Sequence, residues 1–196
     1  MQDTTGNQTV TQTRPNFRFE TARELFEEIP EAHEDIGMKP DSQDVVTFCH
    51  ELLRSDTPEE AIAFCAYLLP RRYCVWWGHE SLVTLGDYLD ANDREMMELA
   101  ATWVGSPKED ERYAALEAAM DSASKTPGVW VALAAGWSGG SMVGPDLPPV
   151  PPAPHLTARA VNAGILSVLA RGTIDARQET LERFVRMAIR LGEGES

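Results

Sequence analysis

Gly136-Trp137-Ser138-Gly139-Gly140 matches G-x-S-x-G, a pattern that elsewhere presents a nucleophilic serine. There, a strand-to-helix turn lifts the hydroxyl above a parallel sheet, and a histidine and an acid activate it for acyl transfer. The context here differs. An alanine-rich helical run precedes Ser138, a Gly/Pro-rich stretch follows it, and the downstream acid and histidine reduce to Asp146 and His155, in or beside that stretch. Gly139 and Gly140 read more simply as the stop of a helix ending near Trp137. A small serine hydrolase using Ser138 is therefore kept only as an alternative.

The remaining reactive side chains form no constellation. His33, His50, His79 and His155 are scattered, Cys74 and His79 stand too far round a helix to share a face, and Cys49 and His50 are adjacent and diverge. No C-x-x-C, H-x-x-x-H or H-E-x-x-H spacing occurs. The glycines of 136–144 follow no strand, so they make no phosphate cradle. No catalytic residue, cofactor or metal ligand is assigned, and the expectation is a chain that is not an enzyme.

Charge narrows the partners. With 17 Lys and Arg against 31 Asp and Glu, the net charge is −14, which repels a phosphate backbone and an anionic membrane surface. A protein partner is expected. The charge is uneven: residues 20–35 hold Glu20, Glu24, Glu27, Glu28, Glu31, Glu34 and Asp35 against Arg23 alone, while 155–190 hold six arginines against three acids. Two solvated helix faces are the plain reading, and attraction between the two ends within the fold is the other. Cys49, Cys65 and Cys74 lie in apolar helical runs and act as small hydrophobes rather than a disulfide framework. The opening residues lack the basic and apolar regions of a signal peptide, and nothing reaches the roughly 18 apolar residues of a membrane span. A cytoplasmic location is expected.

The elements that must position these residues are helices. Residues 1–18 are polar and expected to be a disordered tail, with a single all-α domain over 19–196. Thr21 with Glu24 predicts a capping box for a helix closing before Pro30. Val45, Phe48, Cys49, Leu52 and Leu53 mark one buried face. Further starts are expected with hydroxyl caps at Thr57-Pro58 and Ser106-Pro107, with Asn92 capping above Glu95, and at Pro70 and Thr126-Pro127. No period-2 run competes. The fold class is all-α, an irregular bundle of about eight to nine short helices, and the helix starts have no fixed period that would mark a repeat.

One stretch breaks the pattern. Residues 138–154 are rich in Gly and Pro, with six prolines in the last ten positions. These favour an extended polyproline path of about 3.1 Å per residue, read here as a crossover strap before a C-terminal helical hairpin over 155–191. Forty-odd residues are too few to fold alone, so the hairpin is expected to dock on the body, with the strap lying over the chain's own aromatic surface. The strap also carries P-x-x-P spacings of the kind that dock in aromatic grooves of other proteins. Trp76 and Trp77 lie about 100° apart on a helix, so one is expected to face the core and the other a groove or the strap.

Two blocks carry a resemblance. Leu69-Pro70-Arg71-Arg72 with Cys74-Val75-Trp76-Trp77 forms one. Ala134-Ala135-Gly136-Trp137-Ser138-Gly139-Gly140-Ser141, with Val150-Pro151-Pro152 and Ala158-Arg159-Ala160-Val161, forms the other. Together they resemble an uncharacterised family of small proteobacterial helical proteins often encoded near type VI secretion genes. The blocks span about residues 60 to 165. The resemblance implies a setting and no activity. Trp76, Trp77, Trp137, Ser138, Gly139, Gly140, Pro151 and Pro152 are the candidate signature, as an interaction surface or a structural keystone. The functional expectation is a non-catalytic interaction module, an accessory, adaptor or chaperone of that secretion system. An immunity protein that binds a toxin through its acidic face is the further alternative.

Overall fold

The computed structural model describes residues 16–144, 146–172 and 176–194. Among the described residues there are ten α-helices, one 3₁₀ turn and no strand. The helices are α1 Ala22–Glu28, α2 Ala32–Asp35, α3 Val45–Leu53, α4 Glu60–Leu68, α5 Arg71–Val83, α6 Ala91–Gly105, α7 Glu109–Asp121, α8 Pro127–Gly136, α9 Leu156–Leu169 and α10 Arg177–Glu193; the 3₁₀ turn is Gly86–Tyr88. This is the all-α irregular bundle that the punctuation predicts. No helix among the described residues is long and apolar enough to cross a membrane.

Two helices are apolar all round, and such helices belong inside. Every residue of α4 from Ala61 to Leu68 is buried, and so is every residue of α8 except Trp130. α8 packs on α9, α6, α7 and α5; α4 packs on α9, α3 and α10. Through α5 and α9, which touch both, the two central helices share one core.

The helix starts divide. α1 has its capping box, with Thr21 Oγ1 accepting from the Glu24 amide and the Glu24 carboxylate accepting from the Thr21 amide. Asp44 caps α3, and Pro70 stands just ahead of α5. Three expected caps are corrected. α6 begins at Asp90, boxed with Asp93, and not at Asn92. Neither Thr57 nor Ser106 caps with its hydroxyl: α4 winds in through a tight turn from Thr57 O to Glu60 N, and α7 starts after Lys108. At Thr126 the start is right but the hydroxyl is idle, because the Gly128 amide is taken by Asp93 Oδ1 at 2.8 Å.

The amino-terminal expectation is corrected at its edge. Residues 1–15 lie outside the described residues, but 16–18 are docked. The Asn16 amide donates to Gly192 O, the Arg18 amide donates to Leu68 O at 3.1 Å, and Phe17 rests where Gly192 has no side chain. α10 turns Leu181, Phe184, Val185 and Ala188 inward. Trp77 Nε1 donates to Phe184 O at 2.9 Å, tying α5 to α10. α9 and α10 both dock on the body, α9 against α8, α5 and α4, and α10 against α4, α5 and α3.

Residues 138–154 do not run as an extended belt. The Met142 amide donates to Val150 O at 2.8 Å, and the Val150 amide donates to Ser141 Oγ at 3.1 Å, so the stretch turns back and closes as a loop. The helices it joins explain this. α9 packs directly on α8, and Thr157 Oγ1 donates to Trp137 O at 3.0 Å, which leaves no distance to span. Docking of the strap on its own chain is corrected for the loop's crest, where Leu147 is 59% and Val150 44% exposed.

Candidate functional site

Four of the candidate residues, Trp137 to Gly140, follow directly on the carboxyl end of α8. The last carbonyls of any helix lack intrahelical partners, and that end carries partial negative charge. Here side chains supply the donors. Arg112, almost wholly buried, donates to Gly136 O through Nη1 and to Ser141 O through Nη2 at 2.9 Å. Arg71 Nη1 donates to Ser138 O at 3.0 Å, and Thr157 Oγ1 serves Trp137 O. Glu109 orients Arg112, accepting from its Nε at 2.8 Å, and the guanidinium holds the Glu109 carboxyl below its ordinary range. Four backbone carbonyls of the turn 136–141 are thus taken by α7, α5 and α9.

Ser138 is spent in the same way. Its Oγ donates to Ala135 O at 2.6 Å, one helical turn back. Gly140 has a φ of 59° and presses on Arg112 and Glu109, where a Cβ would lie 2.7 Å from Arg112 Nε. Gly139 faces open space. Trp137 caps α8 and is half-buried against the core.

The paired tryptophans diverge as their spacing requires. Trp77 is in the core. Trp76 is half-buried, stacks on His79 with ring centres 5.1 Å apart, and lines an open groove between α5 and α6 with Arg72, Tyr73, Ala101 and Val104. It does not lie beneath the strap. Pro151 is exposed and Pro152 buried. Arg71, at the start of the same helix as Trp76, bonds the turn at Ser138 O, while Trp77 and Pro152 are buried.

Two polar clusters were not visible in the sequence pattern. In one, Asp35 Oδ2 accepts from Tyr67 Oη and from Arg159 Nε, the latter at 2.7 Å, while Arg159 also meets Glu34 at 2.8 Å. Burial and then Asp35 raise the Tyr67 phenol, and Asp35 raises the Arg159 guanidinium. His155 Nδ1 stands 3.5 Å from Glu31. The acidic start and the basic end do attract one another within the fold, at α2 and α9. In the other cluster, wholly buried Asp93 joins the starts of α6 and α8 to Arg171, 3.3 Å away. The signal for both was only unpaired charge, since their members lie far apart in the chain.

The thiols are structural. Cys49 and Cys65 face each other with sulfurs 3.7 Å apart, and all three cysteines are buried. The hydrogen bond with Cys65 and burial raise Cys49, and burial raises Cys74, so neither is poised as a thiolate. Among the described residues no group of three His, Cys, Asp or Glu side chains is placed to hold a metal ion.

A family model described as a family of unknown function, DUF6931, matches residues 48–192. The matched span reaches beyond the quoted blocks to include α10, and it leaves out α1 and α2. No curated protein and no solved structure matches the chain.

Proposed function

We propose that this chain, which belongs to the DUF6931 family, is a non-catalytic protein-interaction module. One observation supports the reading above the rest: the Ser138 hydroxyl and the Trp137, Ser138 and Ser141 carbonyls are consumed by internal hydrogen bonds, while Tyr73, Leu147 and Val150 are exposed and Trp76 is half-buried in an open groove. Buried, satisfied polar groups rigidify a fold. Exposed aromatic and apolar groups on a rigid frame are what partners bind. The turn is then the keystone and its apolar rim the working surface.

A cytoplasmic role as an accessory, adaptor or chaperone of type VI secretion is the setting we attach to this reading, on the strength of the two sequence blocks alone. The test is co-purification from native lysate with the intact chain and with Trp76→Ser. A partner retained by the first and lost by the second is expected; repeated recovery of the bare chain counts against the reading. The hydrolase alternative is weakened by the Ser138–Ala135 hydrogen bond. A serine-directed probe that labelled the native chain but not Ser138→Ala would revive it. The immunity alternative is weakened because Glu34 and Asp35 are already paired with Arg159; rescue of cells from a neighbouring toxin would restore it.

A further inference from the structure

We infer that the working surface pairs with itself: two copies associate about a two-fold axis, the Leu147–Pro151 ridge of each seated in the Tyr73–Trp76 groove of the other. The inference rests on the interaction reading above and gives that surface an occupant.

The ridge has the chemistry of a polyproline ligand. Leu147-Pro148-Pro149-Val150-Pro151 is exposed throughout. Pro fixes φ near −65°, and in a three-residue turn Leu147 aligns with Val150 and Pro148 with Pro151. The ridge is anchored at Val150, whose amide donates to Ser141 Oγ and whose carbonyl accepts from the Met142 amide. Little freedom is left to lose on docking, which favours binding.

The groove has the complementary chemistry. Polyproline segments dock on aromatic-lined grooves, and Tyr73 and Trp76 offer two rings beside Ala101 and Val104. Charges match as well. Arg72 stands exposed at the groove, and Asp146 stands exposed at the start of the ridge. Both surfaces hang from the same turn: Arg71 holds Ser138 O, and Ser141 holds Val150. A two-fold axis near that turn seats both ridges at once, and a self-complementary patch of this kind closes as a dimer and does not propagate. Copies of net charge −14 repel, but beyond about 8 Å that repulsion is screened at physiological salt. The dimer therefore loosens as salt is withdrawn. The contact is small, of the class below about 1,200 Å² that binds weakly.

Sedimentation velocity of the intact chain over a concentration series tests this, at physiological and at low salt. The expected result is a reversible monomer–dimer equilibrium that weakens in low salt. Leu147→Ser with Val150→Ser, and separately Trp76→Ser, should each weaken it by about ten-fold or more. Arg72→Asp and Asp146→Arg should each be monomeric alone, and mixing the two should restore a dimer, because one charge pair is then re-formed in the native sense and the other in the opposite sense. Circular dichroism of each variant verifies that it is folded. A native chain monomeric throughout, or a dimer indifferent to the ridge and to the charge exchange, overturns the inference. Capture of a different protein through the ridge by a monomeric chain overturns the self-pairing and leaves the interaction reading standing.

Discussion

The Gly136–Ser141 turn and the Leu147–Pro151 ridge are separated by five residues and have opposite fates. The turn is drawn inward by Arg112, Arg71 and Thr157, each bringing a donor from a different helix. The ridge, whose prolines have no amide to donate, is held by backbone bonds at Leu147 and Val150 alone and stands out in water. Two glycine- or proline-rich stretches that look alike in composition are thus built for different work. Hydrogen-bonding capacity separates them: carbonyls at a helix end must find donors, whereas a proline run needs none and can be left exposed.

The sharpest way to break that contrast is Arg112→Ala. Its loss strands Gly136 O and Ser141 O and leaves Glu109 without its partner. The expected cost is about 3 kcal/mol, read as a fall in melting temperature of roughly 10 °C. Arg112→Lys should recover only part, since one ammonium cannot reproduce the planar fork. An unchanged melting curve for Arg112→Ala would mean that the turn is no keystone.

Adjacent glycines give a finer test of the same turn. Gly140 has a positive φ and would place a Cβ 2.6 Å from Glu109 Oε1, whereas Gly139 has open space and a negative φ. Gly140→Ala should cost about 1–2 kcal/mol, while Gly139→Ala should fall within about 0.5 kcal/mol of the native chain. Urea denaturation of the pair measures the difference. Equal effects would show that backbone conformation at Gly140 does not matter.

How far these differences were legible in the sequence follows from range. Val45 to Leu53 was found by periodicity, because a helix repeats its buried face locally. The Thr21–Glu24 box was found because both partners are three residues apart. Ser106 was misassigned because α7 starts two residues later, after Lys108, and Glu109 in its first turn is claimed by Arg112. The α6 start was displaced because Asp90 and Asp93 offer the same three-residue spacing as Asn92 and Glu95, and only the distant Gly128 amide and Arg171 select between them. The path of the proline stretch was misread because its span depends on whether α8 and α9 touch, which no local pattern states. That Trp77 faces the core and Trp76 a groove was legible in their spacing; that Pro152 is buried while Pro151 is exposed was not.

Acid should find the turn before it finds the ridge. The Glu109 carboxyl is depressed by Arg112, so its contribution is present above the ordinary glutamate value and is lost as pH falls through its lowered folded value. Glu59, depressed by Arg177, acts in the same direction. Stability should therefore decline on the acid side, and Glu109→Gln should be less stable than the native chain at neutral pH and converge with it in acid. Because the Glu109 side chain is 63% exposed, the gap is small. Parallel acid titrations of the two chains would expose the idea as wrong.

Smallest of all should be the effect of the ridge on stability, and this separates the two regions most cleanly. Leu147 and Val150 are 59% and 44% exposed, and the anchoring bonds of Val150 come from its backbone, which a side-chain change leaves in place. Leu147→Ser with Val150→Ser should alter unfolding free energy by no more than about 0.5 kcal/mol. Apolar groups kept in water without a folding benefit are held there for another purpose. A loss of several kcal/mol in this variant would instead make the ridge part of the core, and the distinction between an inward keystone and an outward surface would collapse.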